Sequence, residues 1–437
     1  MISKSKTSNL RCAVLLALGF AAIPAHAVFN VQCPGDTNGT ASWTTPEVQP
    51  ANTKCMHLTG GDGFARMADG TTMYMFGFND VTGQPGSAAN LGITLASWPA
   101  PTIELDEGDE FFLTLSNVGM ALRPDLSDPH SVHFHGFPNA SAFFDGEPES
   151  TFGVNMGSSV TYYYNIKEPG TYLYHCHVEA AEHMQMGMLG NLYVRPLQDR
   201  LGIHPVGTTP DDATKATRFG GDGPTGYVFN DGDGSTAYDV SFPLQFSGFD
   251  AEFHEASYKV QLAPGNNLFA GMRDEYPMIN GRGYPDSVAP MNDHGNGSMV
   301  PSVDGLPAEG PAPDLITFQS QPMGSQVRAV QGKKLLLRLS NVSIAGFYTI
   351  TATGLPMQVV GQGAKILRGN GDVHGQSLYY NTGSVTLGGG EANDVLIDTT
   401  HVAPGTYFLY TTNLEHLNNG NEDNGGMMTE IVIEPPV

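Results

Sequence analysis

The chain has 437 residues, with 44 Asp and Glu against 20 Lys and Arg and a formal net charge of −24. So acidic a protein repels nucleic acid and anionic membranes, and its length suffices for two or three domains with substantial cores. Only 15% of residues are charged, and 54 Gly and 30 Pro punctuate the chain, a composition that favours a globular β protein.

The chain opens on Lys4, Lys6 and Arg11 ahead of an apolar run over 14–23, followed by Ala25-His26-Ala27. This is the pattern of a secretory signal over 1–27, cleaved after Ala27. Its loss removes three positive charges and no negative ones, taking −24 to −27. No later segment is apolar for long enough to suggest a membrane span. The expected location is periplasmic or secreted. Residues 28–60 read as an N-terminal extension framed by Cys33 and Cys55, which an oxidising compartment would join in a disulfide. Cys12 leaves with the signal, so Cys176 is left over, either as an unpaired liability or as a reactive or ligating thiolate.

Two regions then repeat one another. "IELDEGDEFFLTLSNV" (103–118) is echoed by "VRAVQGKKLLLRLSNV" (327–342), and "EPGTYLY" (168–174) by "APGTYFLY" (403–410). Alternating apolar positions between Gly, Pro and Asn turns predict short antiparallel strands. The class is all-β, with two tandem β-sandwich domains over 61–196 and 241–437 and a linker over 197–240.

Six of the 14 histidines fall in two short segments of the first domain: "DPHSVHFHGF" holds His130, His133 and His135, and "YHCHVEAAEHMQMGM" holds His175, His177 and His183. Clustering beside an unpaired cysteine and methionines is a metal signature. Strand parity divides the cluster. In extended chain, His133 and His135 share a face, and His175 and His177 share a face from which Cys176 points away. His130 has the opposite parity to His133 and His135. One set is therefore His130, Cys176, His183 and a methionine, the donors of a blue, type 1 copper. The other is His133, His135, His175 and His177, four imidazoles suited to a copper that binds oxygen or a small anion. Met184, Met186 and Met188 all stand within reach of the axial position.

The sequence resembles the multicopper oxidases and their cupredoxin relatives, the copper nitrite reductases. "SVHFHG" (131–136) is similar to the oxidase His-x-His-Gly motif, "DGEP" (145–148) to the Asp-Gly that follows it, and "GTYLYHCH" (170–177) to the strand bearing the cysteine ligand. "PMING" (277–281) and "DVLID" (394–398) resemble parts of a second oxidase domain. The resemblance implies cupredoxin-like Greek-key sandwiches. It implies a type 1 copper on His130, Cys176, His183 and Met188, and half of a type 2/type 3 cluster on His133, His135, His175 and His177. Asp145 then matches an acid that assists proton delivery.

The chain also departs from the family. Cys176 and His183 are seven residues apart, a spacing of neither oxidases nor nitrite reductases. Where "YHCH" stands in the first domain the repeat has "YTTN" (410–413), and "PMQVVGQG" (356–363) replaces a His-x-His-Gly. Gln362 and Thr412 occupy positions where the second domain would carry ligands, and His416 is the nearest substitute. The catalytic aspartate of nitrite reductases would fall at His133. The expected function is an exported copper oxidoreductase, taking electrons from a small molecule, a metal ion or a redox protein and reducing oxygen. The missing half-cluster would come from another subunit, as in a homo-oligomer, or from a partner chain, or else the second site would hold fewer coppers. The rival is a non-enzymatic electron carrier or copper-binding protein; nitrite reduction ranks behind both.

Overall fold

A computed structural model describes residues 29–201, 226–259, 268–289, 320–371 and 374–436. The expected signal, at 1–27, and most of the stretch read as a linker, 202–225, lie outside the described residues.

The first sandwich is built from eight strands. One sheet has the order β2 (Thr72–Asp80), β1 (Thr53–Arg66), β4 (Glu110–Gly119), β6 (Ser159–Asn165); the other has β3 (Ala100–Asp106), β8 (Leu189–Arg195), β7 (Gly170–His175), β5 (His133–His135). β1 runs parallel to β4 and antiparallel to β2. Residues 53–60, the end of the stretch read as an extension, are thus part of this sheet. Cys33 and Cys55 are joined, tying the preceding coil to β1.

The second sandwich repeats the plan. Val240–Phe249 runs parallel to Lys334–Asn341 within a seven-stranded sheet, and Gly405–Thr411 pairs antiparallel with Met428–Glu434 in a five-stranded one. Both sequence echoes have a structural cause. In each "LSNV" the Asn is buried and its amide ties down the chain crossing beyond the strand. Asn117 Nδ2 donates to the carbonyls of Asp128 and Val154, and Asn341 Nδ2 to those of Gly346 and Leu387. In each "PGTY" the tyrosine hydroxyl reaches back four residues, Tyr172 to the Glu168 carbonyl and Tyr407 to the Ala403 carbonyl. This is the tyrosine corner of Greek-key sandwiches, which fixes where the following strand starts.

Every residue of β7 is buried, because both of its faces are covered. Tyr172, Tyr174 and Cys176 point into the core of the first sandwich, with Phe76, Phe134 and Met188. Thr171 and Leu173 point the other way, against the second sandwich, where Leu173 packs with Phe249, Met278 and Val342. Thr171 is held in a buried polar knot: its hydroxyl donates to Asp394 Oδ1 at 2.5 Å and accepts from Arg338 Nη1 at 3.1 Å. Arg338 and Asp394 are fully enclosed, and the guanidinium lies 4.6 Å from the Tyr193 ring centre. A buried ion pair of this kind contributes register more than net stability. Here it fixes β7 against the second sandwich.

Candidate metal centres

The six clustered histidines and Cys176 are delivered by β5, β7 and the loops around them. His130 precedes β5 and is held by paired backbone bonds with Val154, 3.0 Å and 2.7 Å. The Val154 carbonyl also accepts from Asn117, so the repeated asparagine sets the position of His130. Cys176 follows β7. Its amide donates to the Met188 carbonyl, and the short helix α1 (Ala180–Gln185) returns His183 to it.

The ligand atoms of His130, Cys176 and His183 all lie within 4.8 Å of one another. Cys176 Sγ is 3.2 Å from His183 Nδ1, and the two imidazole rings are 5.1 Å apart. All three residues are fully buried. Burial pushes the Cys176 thiol up to about 12 and the His183 imidazole down to about 4; His130 is driven well below its ordinary value by burial and then by His183. Both ring nitrogens of His130 and Nε2 of His183 have no hydrogen-bond partner. Orphaned buried nitrogens cost about 1–3 kcal/mol each, and a thiol so enclosed ionises only beside a cation. A cation supplies what both lack. The donor set, two imidazoles and a thiolate, fits copper. Met188 is buried in the same core, and a methyl group at Gly60 would meet both the His130 ring and Met188 Cε. Met186 shares that core, whereas Met184 packs in the cluster on the far face.

The second set lies on the opposite face of the same strands. β5 and β7 pair His133 with His175 and His135 with Leu173, so Phe134 enters the core and the two histidines face outward. His133, His135 and His175 bring ligand atoms within 4.8 Å of one another. His133 Nδ1–H donates to the Asp145 carbonyl at 2.7 Å, and His175 Nδ1–H to the Cys176 carbonyl at 2.9 Å. Both bonds leave Nε2 with its lone pair, the tautomer that binds a metal. Burial lowers the pKa of all three imidazoles, that of His175 to about 3.

His177 differs from the other three. β7 ends at His175, so the period of two stops before His177. Its ring stays 5.0 Å from that of His133 and 5.4 Å from that of His175, but Nε2 is 3.1 Å from Glu147 Oε2. It forms a separate group with Glu147 and Glu149. Those two carboxylates were not singled out from the sequence, although "DGEPE" sets three acids at alternate positions, Asp145 of the Asp-Gly pair and the two that follow it. Asp145 itself has Oδ1 at 3.6 Å from His133 Nδ1.

Among the described residues, no histidine of the second sandwich joins any of these groups. The second sandwich instead lays Gly390, at φ +84°, against His135, where an added Cβ would fall 2.6 Å from Nε2. His416 lies elsewhere, in a cleft of about 630 Å³ lined by Asp274, Glu275, Phe347 and Glu415.

Residues 81–199 and 256–432 each match a family profile described as multicopper oxidase. The chain belongs to the multicopper oxidase family. Copper is the family's cofactor, and its members take electrons from a substrate and use oxygen. Among curated multicopper oxidases, the chain is 42% identical to the iron transport multicopper oxidase fetC of Epichloe festucae over 83 residues, 18% of this chain and 12% of that protein. It is 32% identical to laccase abr2 of Aspergillus fumigatus over 142 residues, 32% of this chain and 23% of that one. The chain thus spans less than a quarter of the length of these relatives. In fold it resembles the blue copper oxidase of Nitrosomonas europaea, with TM-score 0.55, 20% identity, and 88% of this chain and 86% of that one covered. The copper nitrite reductase of the same organism gives TM-score 0.52 at 14% identity, covering 87% and 94%.

Proposed function

We propose that this chain is an exported copper-dependent oxidoreductase that draws electrons singly from a donor and uses them to reduce oxygen. The observation that carries the proposal is the placing of His175 and Cys176. Neighbours in the chain, they lie on opposite faces of one strand end, one in each ligand group. His130, Cys176 and His183 with Met188 would hold a type 1 copper; His133, His135 and His175, joined by His177, would hold a second, type 2/type 3-like copper centre. Copper supplies one-electron exchange at the first site and oxygen binding at the second. The peptide between Cys176 and His175 would give electrons a covalent route between the two centres when both are loaded.

The protein's own groups organise the rest. The Ser131 amide lies 3.4 Å from Cys176 Sγ, and the Ser131 hydroxyl accepts from the His177 amide, so one residue braces both sites. Asp145 beside His133, and Glu147 beside His177, would pass protons to the second site. The copper-binding part is assigned to 61–196 together with the start of β1 at 53–60, and the part without an evident copper site among the described residues to 241–437. Further ligands for the second centre come from a neighbouring subunit of a homo-oligomer. Periplasmic or secreted location is supported by the signal-like start and by the Cys33–Cys55 bond.

The test is oxygen uptake by copper-replete protein with a one-electron donor. His133→Ala should abolish uptake while the blue band survives. Uptake that persists in that variant, or is absent from the parent protein, overturns the proposal. One observation favours a simpler carrier: His177 turns to Glu147 and Glu149, leaving three imidazoles in closest register. A single copper per chain with no oxygen uptake would select that alternative.

A further inference from the structure

His130 and His183 are both wholly buried, so a donor in solution touches neither imidazole. An electron must enter through something else. β2 alternates strictly: Met73 and Met75 face the second sandwich, while Tyr74, Phe76 and Phe78 face the core that holds Cys176. Phe76 lies edge-on to His183 with ring centres 5.6 Å apart, and its amide donates to the Met186 carbonyl at 2.8 Å. Tyr74 meets Phe76 at 5.7 Å, edge to face. Beyond Tyr74 stand two rings at the surface: Tyr258 at 5.0 Å and Phe64 at 6.0 Å, themselves 5.8 Å apart. Both are exposed, Tyr258 by 42% and Phe64 by 39%. All these separations fall within the range of ordinary aromatic contact.

We infer that Tyr258, Tyr74 and Phe76 form the electron inlet to His183, and that a planar aromatic donor enters it by stacking at the Phe64–Tyr258 edge. The inference rests on the copper function proposed above and adds its route of entry. Each ring contact shortens a through-space gap that an electron would otherwise cross through saturated side chains. One electron leaves the donor, which becomes its one-electron-oxidised form, and reduces the oxidised copper held at Cys176 and His183. No protein bond forms or breaks, and a proton released by the donor passes to solvent at the exposed edge.

The rings are held for this. Tyr74 OH donates to the buried Asp62 at 3.0 Å, and Asp62 also accepts from the Ala121 and Leu122 amides. Tyr258 arrives from the second sandwich on helix α2 (Ala251–Tyr258). Asp250 caps that helix through the Phe253 amide, and its own amide donates to Gln185 Oε1 in the ligand loop. His254, one turn before Tyr258, sets one ring nitrogen 2.6 Å from the Tyr74 carbonyl and the other 2.9 Å from the Gln185 carbonyl. Arg123 adds a bond to the Ser257 carbonyl. The second sandwich thereby has a part in the chemistry: it carries the outer ring of the inlet and clamps it to the ligand loop.

The experiment follows anaerobic bleaching of the blue band by hydroquinone in stopped flow, in Tyr258→Ala, Tyr74→Leu and Tyr74→Phe. Tyr258→Ala and Tyr74→Leu should slow bleaching by roughly tenfold or more, and Tyr74→Phe, which keeps the ring, should stay within about threefold of the parent. Band position and copper affinity should be unchanged in all three, which a merely structural role for Tyr74 does not predict. In copper-free protein, saturation-transfer NMR should report hydroquinone contact that Tyr258→Ala removes. Parent-like bleaching in both Tyr258→Ala and Tyr74→Leu overturns the inlet. So does Tyr74→Phe behaving like Tyr74→Leu. Slowed bleaching in a protein that takes up no oxygen would sustain the inlet while defeating the oxidase proposal. Parent-like bleaching in one that does take up oxygen would do the reverse.

Discussion

Gly60 of β1 sits where the first metal group closes, and replacing it by alanine isolates that geometry. The added Cβ would fall 2.8 Å from His130 Cδ2 and 3.4 Å from Met188 Cε, whereas ordinary contact begins at 3.4 Å. His130 cannot yield as a whole, because its amide and carbonyl are both bonded to Val154. The imidazole must swing instead. In copper-free protein the swing is tolerable, since neither ring nitrogen has a partner to lose. Alanine also gains about 0.5–1 kcal/mol over glycine within a strand. Against an overpacking cost of about 1–3 kcal/mol, the net loss of stability should be about 0–2.5 kcal/mol. The copper-bound state has no such latitude, because His130 and Met188 must both hold their positions. Copper affinity should fall by roughly tenfold to a hundredfold, the equivalent of about 1.4–2.8 kcal/mol. Urea unfolding of copper-free protein and copper titration followed at the blue band measure the two quantities separately. Gly63→Ala, where the new methyl meets only contacts of 3.4 Å and longer, is the control. Parent-like affinity and spectrum in Gly60→Ala would refute the placing of His130.

Gly390→Ala should act on the other site: its methyl would fall 2.6 Å from His135 Nε2, so metal analysis should show lost copper while the blue band persists. Arg338→Met strands the buried Asp394 and should cost about 3–5 kcal/mol in urea unfolding; adding Asp394→Asn should recover more than half of it. His57 is enclosed, with Nε2 at 2.8 Å from Ser116 Oγ, and burial lowers its pKa to about 4. Because the unfolded imidazole binds its proton near pH 6.5, stability should fall as pH drops from about 6.5 to 4, by roughly 3 kcal/mol for this one group. His57→Gln should flatten that slope by about one proton in copper-free protein, and an unchanged slope would locate the dependence elsewhere.

The split between the two ligand groups was legible because it follows from the period of two: Cys176 and His175 are adjacent, and β7 runs straight to its end at His175. What lay beyond that end was not. His177 follows no strand parity, and its turn toward Glu147 depends on a loop that only tertiary packing brings near. The repeated "LSNV" and "PGTY" stood out as text, but their work could be read only from Asn117 binding Val154 and Tyr172 binding Glu168. The start of β1 was equally opaque, since Thr53 pairs in parallel with Glu110 of β4, far along the chain, and local pattern says nothing of such pairing. Tyr74 and Phe76 carried no signal in the sequence that set them apart. The contact of Phe76 with His183, and that of Tyr74 with Tyr258 on α2 of the second sandwich, are long-range placements that no local periodicity encodes.

The central claim is that two copper sites lie back to back, divided at the peptide between His175 and Cys176. Copper analysis and EPR on the parent protein and on Cys176→Ser test it most directly. The parent should bind more than one copper per chain, and the variant should lose the blue type 1 signal while keeping copper at His133, His135 and His175. A single copper per chain, or both sites emptied together by Cys176→Ser, would contradict it.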